Sequence, residues 1–154
     1  MYSNIKIMKP ISKISVVLLF LALVASSCGK YEDGPSISLM PKTARLINTW
    51  KLDAEYKNDV QQELTADDKD DYFEIKKDGI LEVTIVNGST SVTYTGTWEL
   101  SSDKEKLHSV YSTTVFGLTY TTDEESTILR LKSNELWIER VEGNDTYEYH
   151  YITK

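Results

Sequence analysis

Reactive side chains are scarce in this 154-residue chain, and the scarcity narrows its chemistry. The single cysteine, Cys28, leaves no disulfide to form. An oxidising compartment would therefore add no covalent support, and the core must hold the fold unaided. The two histidines, His108 and His150, fall on different expected strands, and a zinc site would need a third ligand beyond them. A Gly-x-Ser-x-Gly elbow and a phosphate-cradling glycine loop are both missing, which removes serine-nucleophile and nucleotide chemistry. No catalytic residue, metal or cofactor is expected, and the chain does not read as an enzyme. Positive charge is short as well. Seventeen Lys and Arg against 24 Asp and Glu leave a net charge of −7, which disfavours nucleic acid and anionic lipid because phosphate contacts need cations. The densest acidic run, Asp67-Asp68-Lys69-Asp70-Asp71, lacks the Asp-x-Asp-x-Asp-Gly spacing of a calcium loop and reads as a solvated, self-repelling segment.

The N-terminus, by contrast, is built for export. Lys6, Lys9 and Lys13 form a basic region, Ile14–Val24 is an apolar run, and the small residues Ala25-Ser26-Ser27 precede Cys28. This arrangement resembles a bacterial lipoprotein signal, which implies removal of residues 1–27 and acylation of the Cys28 thiol. The competing reading is a short membrane anchor with an incidental cysteine, although the run falls below the roughly 20 apolar residues of a span. Cleavage takes away three lysines and no acid, leaving 14 basic against 24 acidic residues, or −10. One acyl chain alone binds a membrane reversibly, while the two or three that the resemblance implies hold it durably. The membrane is thus an expected partner, reached through the lipid on Cys28, and the expected address is the outer membrane of the cell envelope.

Residues 28–41 hold two Gly, two Pro and two Ser without periodicity, as in a flexible tether. Within it, Lys30-Tyr31-Glu32-Asp33 resembles the Lys-plus-acidic signals that carry lipoproteins to the cell surface in Bacteroidetes; an ordinary solvated linker explains it equally. Pro41 to Ile47 reads as one helical turn. From there to the end, residues 42–154 form the expected domain.

Its pattern is alternation. Trp50, Leu52, Ala54 and Tyr56 alternate with Lys51, Asp53, Glu55 and Lys57 in a first strand at 49–57. Phe73 and Ile75 lead to the turn Lys77-Asp78-Gly79, and Leu81, Val83 and Ile85 lead to Asn87-Gly88, a strong hairpin signal. Val92, Tyr94, Gly96, Trp98 and Leu100 share a face before Ser101-Ser102-Asp103. Leu107–Tyr111 and Val115–Tyr120 read as a further pair, followed by Thr127–Lys132, Glu135–Val141 and Thr146–Ile152. The exception is Asn58–Asp71, a long polar loop or short exposed helix: a binding lid, or a plain solvated connection. The expected fold is all-β, a single antiparallel barrel of about eight strands, with a two-sheet β-sandwich as the alternative.

Leu46-Ile47-Asn48-Thr49-Trp50-Lys51-Leu52 resembles the lipocalin opening, and with Gly96-Thr97-Trp98-Glu99-Leu100 and Leu131-Lys132-Ser133-Asn134-Glu135-Leu136-Trp137 the domain is similar to the lipocalin-like lipoproteins of Bacteroidetes. The resemblance implies a lipocalin-like barrel with a binding habit for small apolar molecules. Two departures stand out. Asn48 replaces the usual Gly, and the turn is expected to survive because Asn tolerates a left-handed backbone. No Arg follows the last strand, so Arg140 is the candidate to pack on Trp50 or another ring instead. The candidate ligand or core aromatics are Trp50, Tyr56, Phe73, Tyr94, Trp98, Tyr147, Tyr149 and Tyr151. They either fill the barrel or line a pocket; a Tyr stripe facing outward would instead be a docking patch. Two functions stay open: a lipid-anchored module binding a small apolar ligand, or a filled barrel that meets an envelope protein. An interior cavity of about 300 Å³ or more would mark the first.

Overall fold

The computed structural model describes residues 39–115 and 117–154. The signal, Cys28 and the first part of the tether lie outside the described residues. A one-turn helix α1 (Lys42–Leu46) enters β1 (Asn48–Lys57), which is followed by the two-residue β2 (Val60–Gln61), α2 (Ala66–Asp70) and β3 (Tyr72–Ile75). Five hairpin-linked strands then complete the chain after β4 (Ile80–Asn87): β5 (Thr90–Leu100), β6 (Lys106–Val115), β7 (Leu118–Leu131), β8 (Glu135–Glu142) and β9 (Asp145–Thr153).

Neighbours in sequence are neighbours in the sheet, every pair is antiparallel, and β9 returns to β1. Trp50 pairs with Thr153 at one end of that seam and Lys57 with Tyr147 at the other. The eight long strands therefore close into a barrel, and the sandwich is set aside. Closure removes the exposed sheet edges that a nine-stranded meander would otherwise present.

The turns form where their residues tolerate the left-handed region. Asp78 (φ 64°) and Gly79 (φ 76°) reverse the chain between β3 and β4. At the next hairpin Asn87 still pairs with Thr90, so Gly88 (φ 59°) takes the left-handed position that starts a two-residue turn.

One end of the barrel is sealed. Trp50, Leu46, Leu131 and Leu136 have no exposed surface there, and Ile75 has almost none. The Trp50 indole Nε1 donates to the Leu46 carbonyl at 2.9 Å, so α1 and β1 lock together across the plug. Arg45, itself buried, donates from Nη1 to the Leu131 carbonyl at 2.7 Å and ties α1 to β7. Asn48 is extended rather than left-handed: its Nδ2 donates to Ser133 O and its Oδ1 accepts from Thr49 N. It replaces glycine by bonding, not by conformational tolerance.

Several expectations change. The stretch read as three strands at 107–111, 115–120 and 127–132 is one hairpin, because Val115 still belongs to β6 and β7 runs unbroken from Leu118 to Leu131. A β-bulge between Leu52 and Ala54 shifts the parity of β1. Tyr56, expected on the inner face with Trp50, therefore points outward, with its ring 5.0 Å from His150. The Asn58–Asp71 segment does contain a short exposed helix, α2, and adds a two-residue strand before it. Asn58 and Asp59 turn in the left-handed region, β2 pairs back on β1, and α2 is capped by Thr65 and Asp68 in a reciprocal capping box.

Candidate functional site

Above the Trp50 plug the barrel encloses a cavity of about 150 Å³. It is neither filled nor as roomy as the roughly 300 Å³ typical of the smaller ligand pockets. Its lining has two sides. Phe73, Ile75, Leu81, Val83, Trp98 and Leu107 form an apolar wall contributed mainly by β3, β4 and β5. Ser109, Glu124, Ser126, Arg140 and Tyr151, from β6 to β9, form a polar one. Strand alternation brings these together: Ser109 pairs with Glu124, Leu107 with Ser126 and Leu136 with Tyr151, each pair sharing the inner face.

Arg140 organises the polar wall. Its Nη1 lies 2.6 Å from Glu124 Oε2, its Nε donates to Ser126 Oγ at 3.2 Å, and its guanidinium sits 5.0 Å from the Tyr149 ring centroid. Charge, hydroxyl and ring face are all used, as a partly buried guanidinium requires. Tyr147, Tyr149 and Tyr151 stack along β9 with centroids 6.4 and 6.3 Å apart, and Tyr151 meets Phe73 edge-on at 5.0 Å. Burial pushes the Tyr151 and Tyr149 hydroxyls above the ordinary phenol value. Both are neutral hydrogen-bonding groups at any physiological pH.

The wall loosens above the cavity. The β5–β6 ladder ends at Gly96 and Tyr111, and the β7–β8 ladder begins only at Thr127. The hairpin around residues 112–125 therefore rises as a two-stranded arm whose backbone pairs are its own, with Ser112–Thr121 and Thr114–Thr119 hydroxyl contacts on its outer side. Along the mouth, Ile85, Val92, Leu118 and Tyr120 occupy inner-face positions yet are 40%, 53%, 61% and 56% exposed. On the opposite side β1 pairs with β3 only from Asn48 to Lys51. A second cavity of about 160 Å³ lies there, lined in part by Asp68 and Asp71 and sharing Phe73, Val83 and Tyr151 with the first. Asp71 Oδ1 accepts from Val86 N at 2.7 Å, pinning the end of the 58–71 segment to β4. The segment thus lies beside an opening in the wall.

Among the expected site residues, Phe73, Trp98 and Tyr151 line the cavity, and Tyr149 packs against the core beside them. Tyr94 pairs with Val83 on the inner face, higher up. Tyr147 reaches the rim, where Lys57 lies over its ring at 5.2 Å. Trp50 is the plug beneath. The Tyr stripe faces inward, so it is not an outer docking patch. Arg140 packs on another ring, Tyr149, and not on Trp50; the arginine of the closed end is Arg45, and beyond the last strand Lys154 lies over Tyr72, 3.2 Å from its centroid. Glu124 and Ser126 lie outside the expected site residues, and their signal is alternation with Ile128 along a strand that begins well before Thr127.

The histidines sit on the outer wall. His150 stacks on Trp137 at 3.9 Å, with Arg130 4.1 Å above the other ring and Glu148 2.6 Å from Nε2. His108 lies between Asp123 (2.7 Å) and Glu99 (3.4 Å), and the hydrogen bond to Asp123 raises its pKa. Among the described residues no group of three or more His, Cys, Asp or Glu is placed to hold a metal ion.

Comparison with known proteins bears on the fold. Residues 46–138 match the family described as the lipocalin-like domain. The solved structure of insecticyanin from the tobacco hornworm Manduca sexta is similar, with a TM-score of 0.51 over 81% of this chain and 68% of that one, at 8% identity. No curated protein matches the chain.

Proposed function

Since the chain belongs to the lipocalin-like domain family, we propose that it is a non-catalytic binding module of the cell envelope, held to the outer membrane by lipid on Cys28, whose barrel takes a small and mainly apolar ligand. The observation that carries this reading is the two-sided cavity. Six large apolar side chains face a small set of convergent polar groups, the combination that orients a ligand while burying most of it. The export-type N-terminus and Cys28 support the anchor, and the sequence resemblance supports kinship with the lipocalin-like lipoproteins of Bacteroidetes.

One experiment addresses both halves. The protein is purified from its own cells in mild detergent and its native mass is recorded before and after denaturation. The expected result is an acylated chain beginning at Cys28 with a co-purifying mass that leaves on unfolding. A Cys28→Ala variant should carry no acyl mass and should partition away from detergent. An unacylated wild type removes the anchor; the absence of any bound mass, together with failure of small aromatic or aliphatic probes to bind, removes the ligand.

A second reading, a barrel that docks an envelope protein, is favoured by the exposed apolar rim of Ile85, Val92, Leu118 and Tyr120. Crosslinking that maps a protein onto these residues would move the function there.

A further inference from the structure

Size, shape and charge of the pocket restrict what it takes. We propose, building on the reading of the barrel as a binding pocket, that it selects a ring-sized amphiphile carrying a positively charged amine, with the ammonium held at Glu124. A void near 150 Å³ accommodates about one benzene-sized ring, so the body of the ligand is a single ring or a short alkyl group against Trp98 and Leu81.

The head is decided by the charges that face inward. Register places Glu55 and Lys57 of β1 opposite Tyr149 and Tyr147, Glu124 of β7 opposite Ser109, and Arg140 and Glu142 of β8 on the same inner face. The inner positions of β3 to β6, from Phe73 round to Thr113, carry no charge. Lys57 is matched by Asp145 at 2.7 Å and Arg140 by Glu124 at 2.6 Å. Glu55 and Glu142 do not line the cavity but are left without an ion pair among the described residues, so the rim beyond its polar wall holds surplus negative charge.

The existing pair adds direction. Arg140 engages Oε2 of Glu124 and leaves Oε1 without a donor among the described residues, while its own Nε and ring-facing surface are committed to Ser126 and Tyr149. An ammonium at Oε1 would complete that carboxylate and sit beside the faces of the stacked tyrosines, which attract cations. A carboxylate head would meet an Arg140 whose charge Glu124 already matches, and would face the surplus negative charge at the mouth.

A matched series of phenethylamine, 2-phenylethanol and 3-phenylpropionate, titrated calorimetrically into the full chain, tests this. The amine is expected to bind tightest, and at low salt to exceed the acid by about tenfold or more. Glu124→Gln should narrow that gap to within about threefold. If that variant does not fold, the wild type decides by salt: charge selection shrinks as ionic strength rises, and an order indifferent to salt overturns the assignment. Binding of the alcohol with the acid equal to or tighter than the amine overturns the amine head and leaves the pocket standing. Binding of none of the three overturns the pocket and the head together.

Discussion

At the closed end of the barrel Trp50, Leu46, Leu131 and Leu136 have no solvent exposure, whereas at the mouth four inward-facing side chains on β4, β5 and β7 are 40–61% exposed. The backbone follows the same gradient. Beneath the cavity β5, β6, β7 and β8 are hydrogen-bonded side by side; above it the β6–β7 hairpin pairs only with itself. Stability should therefore be concentrated at the plug and ligand access at the mouth. Regions with few buried contacts and solvent-exposed ladders are the first to open in native-state fluctuations.

The largest expected effect breaks or secures this contrast directly. Trp50→Ala empties a fully buried site and strips the Leu46 carbonyl of its donor; truncating such a ring costs about 3–5 kcal/mol, a large part of the roughly 5–15 kcal/mol of a domain. Its denaturant midpoint should fall steeply. Tyr120→Ala, an aromatic truncation on the arm, should stay within about 0.5 kcal/mol of wild type. Equal losses at the two positions would show that the arm is packed in solution, and the contrast would disappear.

Gly96→Ala probes the fork where the arm leaves the wall. An added Cβ would lie 2.0 Å from the Val110 carbonyl oxygen and 2.6 Å from Tyr111 Cβ, so β5 and β6 must separate. Overpacking of this kind costs about 1–3 kcal/mol. The amides of Val110 and Tyr111 should exchange faster while those around Trp50 stay protected; unchanged exchange at both would mean the strands already stand apart.

The smallest effect concerns the foot of the arm. His108 on β6 is held by Asp123 on β7, and that hydrogen bond raises its folded pKa above the unfolded value. A raised pKa gives a stabilising contribution that is complete below the unfolded value of about 6.5 and is lost as pH rises through the folded one. The group is solvent-exposed, so the effect is slight. Comparing wild type with His108→Gln, the difference in melting temperature should be greatest below about pH 6.5 and should fade as pH rises above that value. A difference that is flat across the range would remove the clasp.

What could be read in the sequence, and what could not, divides along the same physical lines. Alternation, the turn signals at Asp78-Gly79 and Asn87-Gly88, and the Trp50 opening follow from local side-chain preferences, and they suffice to specify strands, hairpins and plug. The bulges do not show in alternation. One at Asp53 sends Tyr56 outward, and another between Ile128 and Arg130 sends Arg130 out over Trp137 while Leu131 stays in the core. Each is a one-residue adjustment that closure imposes on a pattern which reads continuously. The polar wall is masked for a related reason: Glu124 sits in a threonine-rich and acidic stretch that looks wet on both faces, so the strand reads as starting at Thr127 and the alternation of Glu124 and Ser126 with Ile128 is cut off. Arg45 was overlooked because a charged residue on a single helical turn gives no sign that a carbonyl 86 positions away will accept from it.

The seam between β1 and β9 also sets an order of events in time. Every other long ladder joins segments that follow one another closely, so hairpins from β4 to β9 can zip within microseconds of being available. Trp50, however, pairs with Phe73 on one side but finds its partner on the other only at Thr153, far along the chain. Until β9 docks, β1 keeps one edge open and the plug one side wet. Such a contact carries nearly the full loop-closure entropy of the domain and slows folding accordingly. Closing the barrel is thus its most demanding pairing, and the plug dries only when its two most distant strands meet.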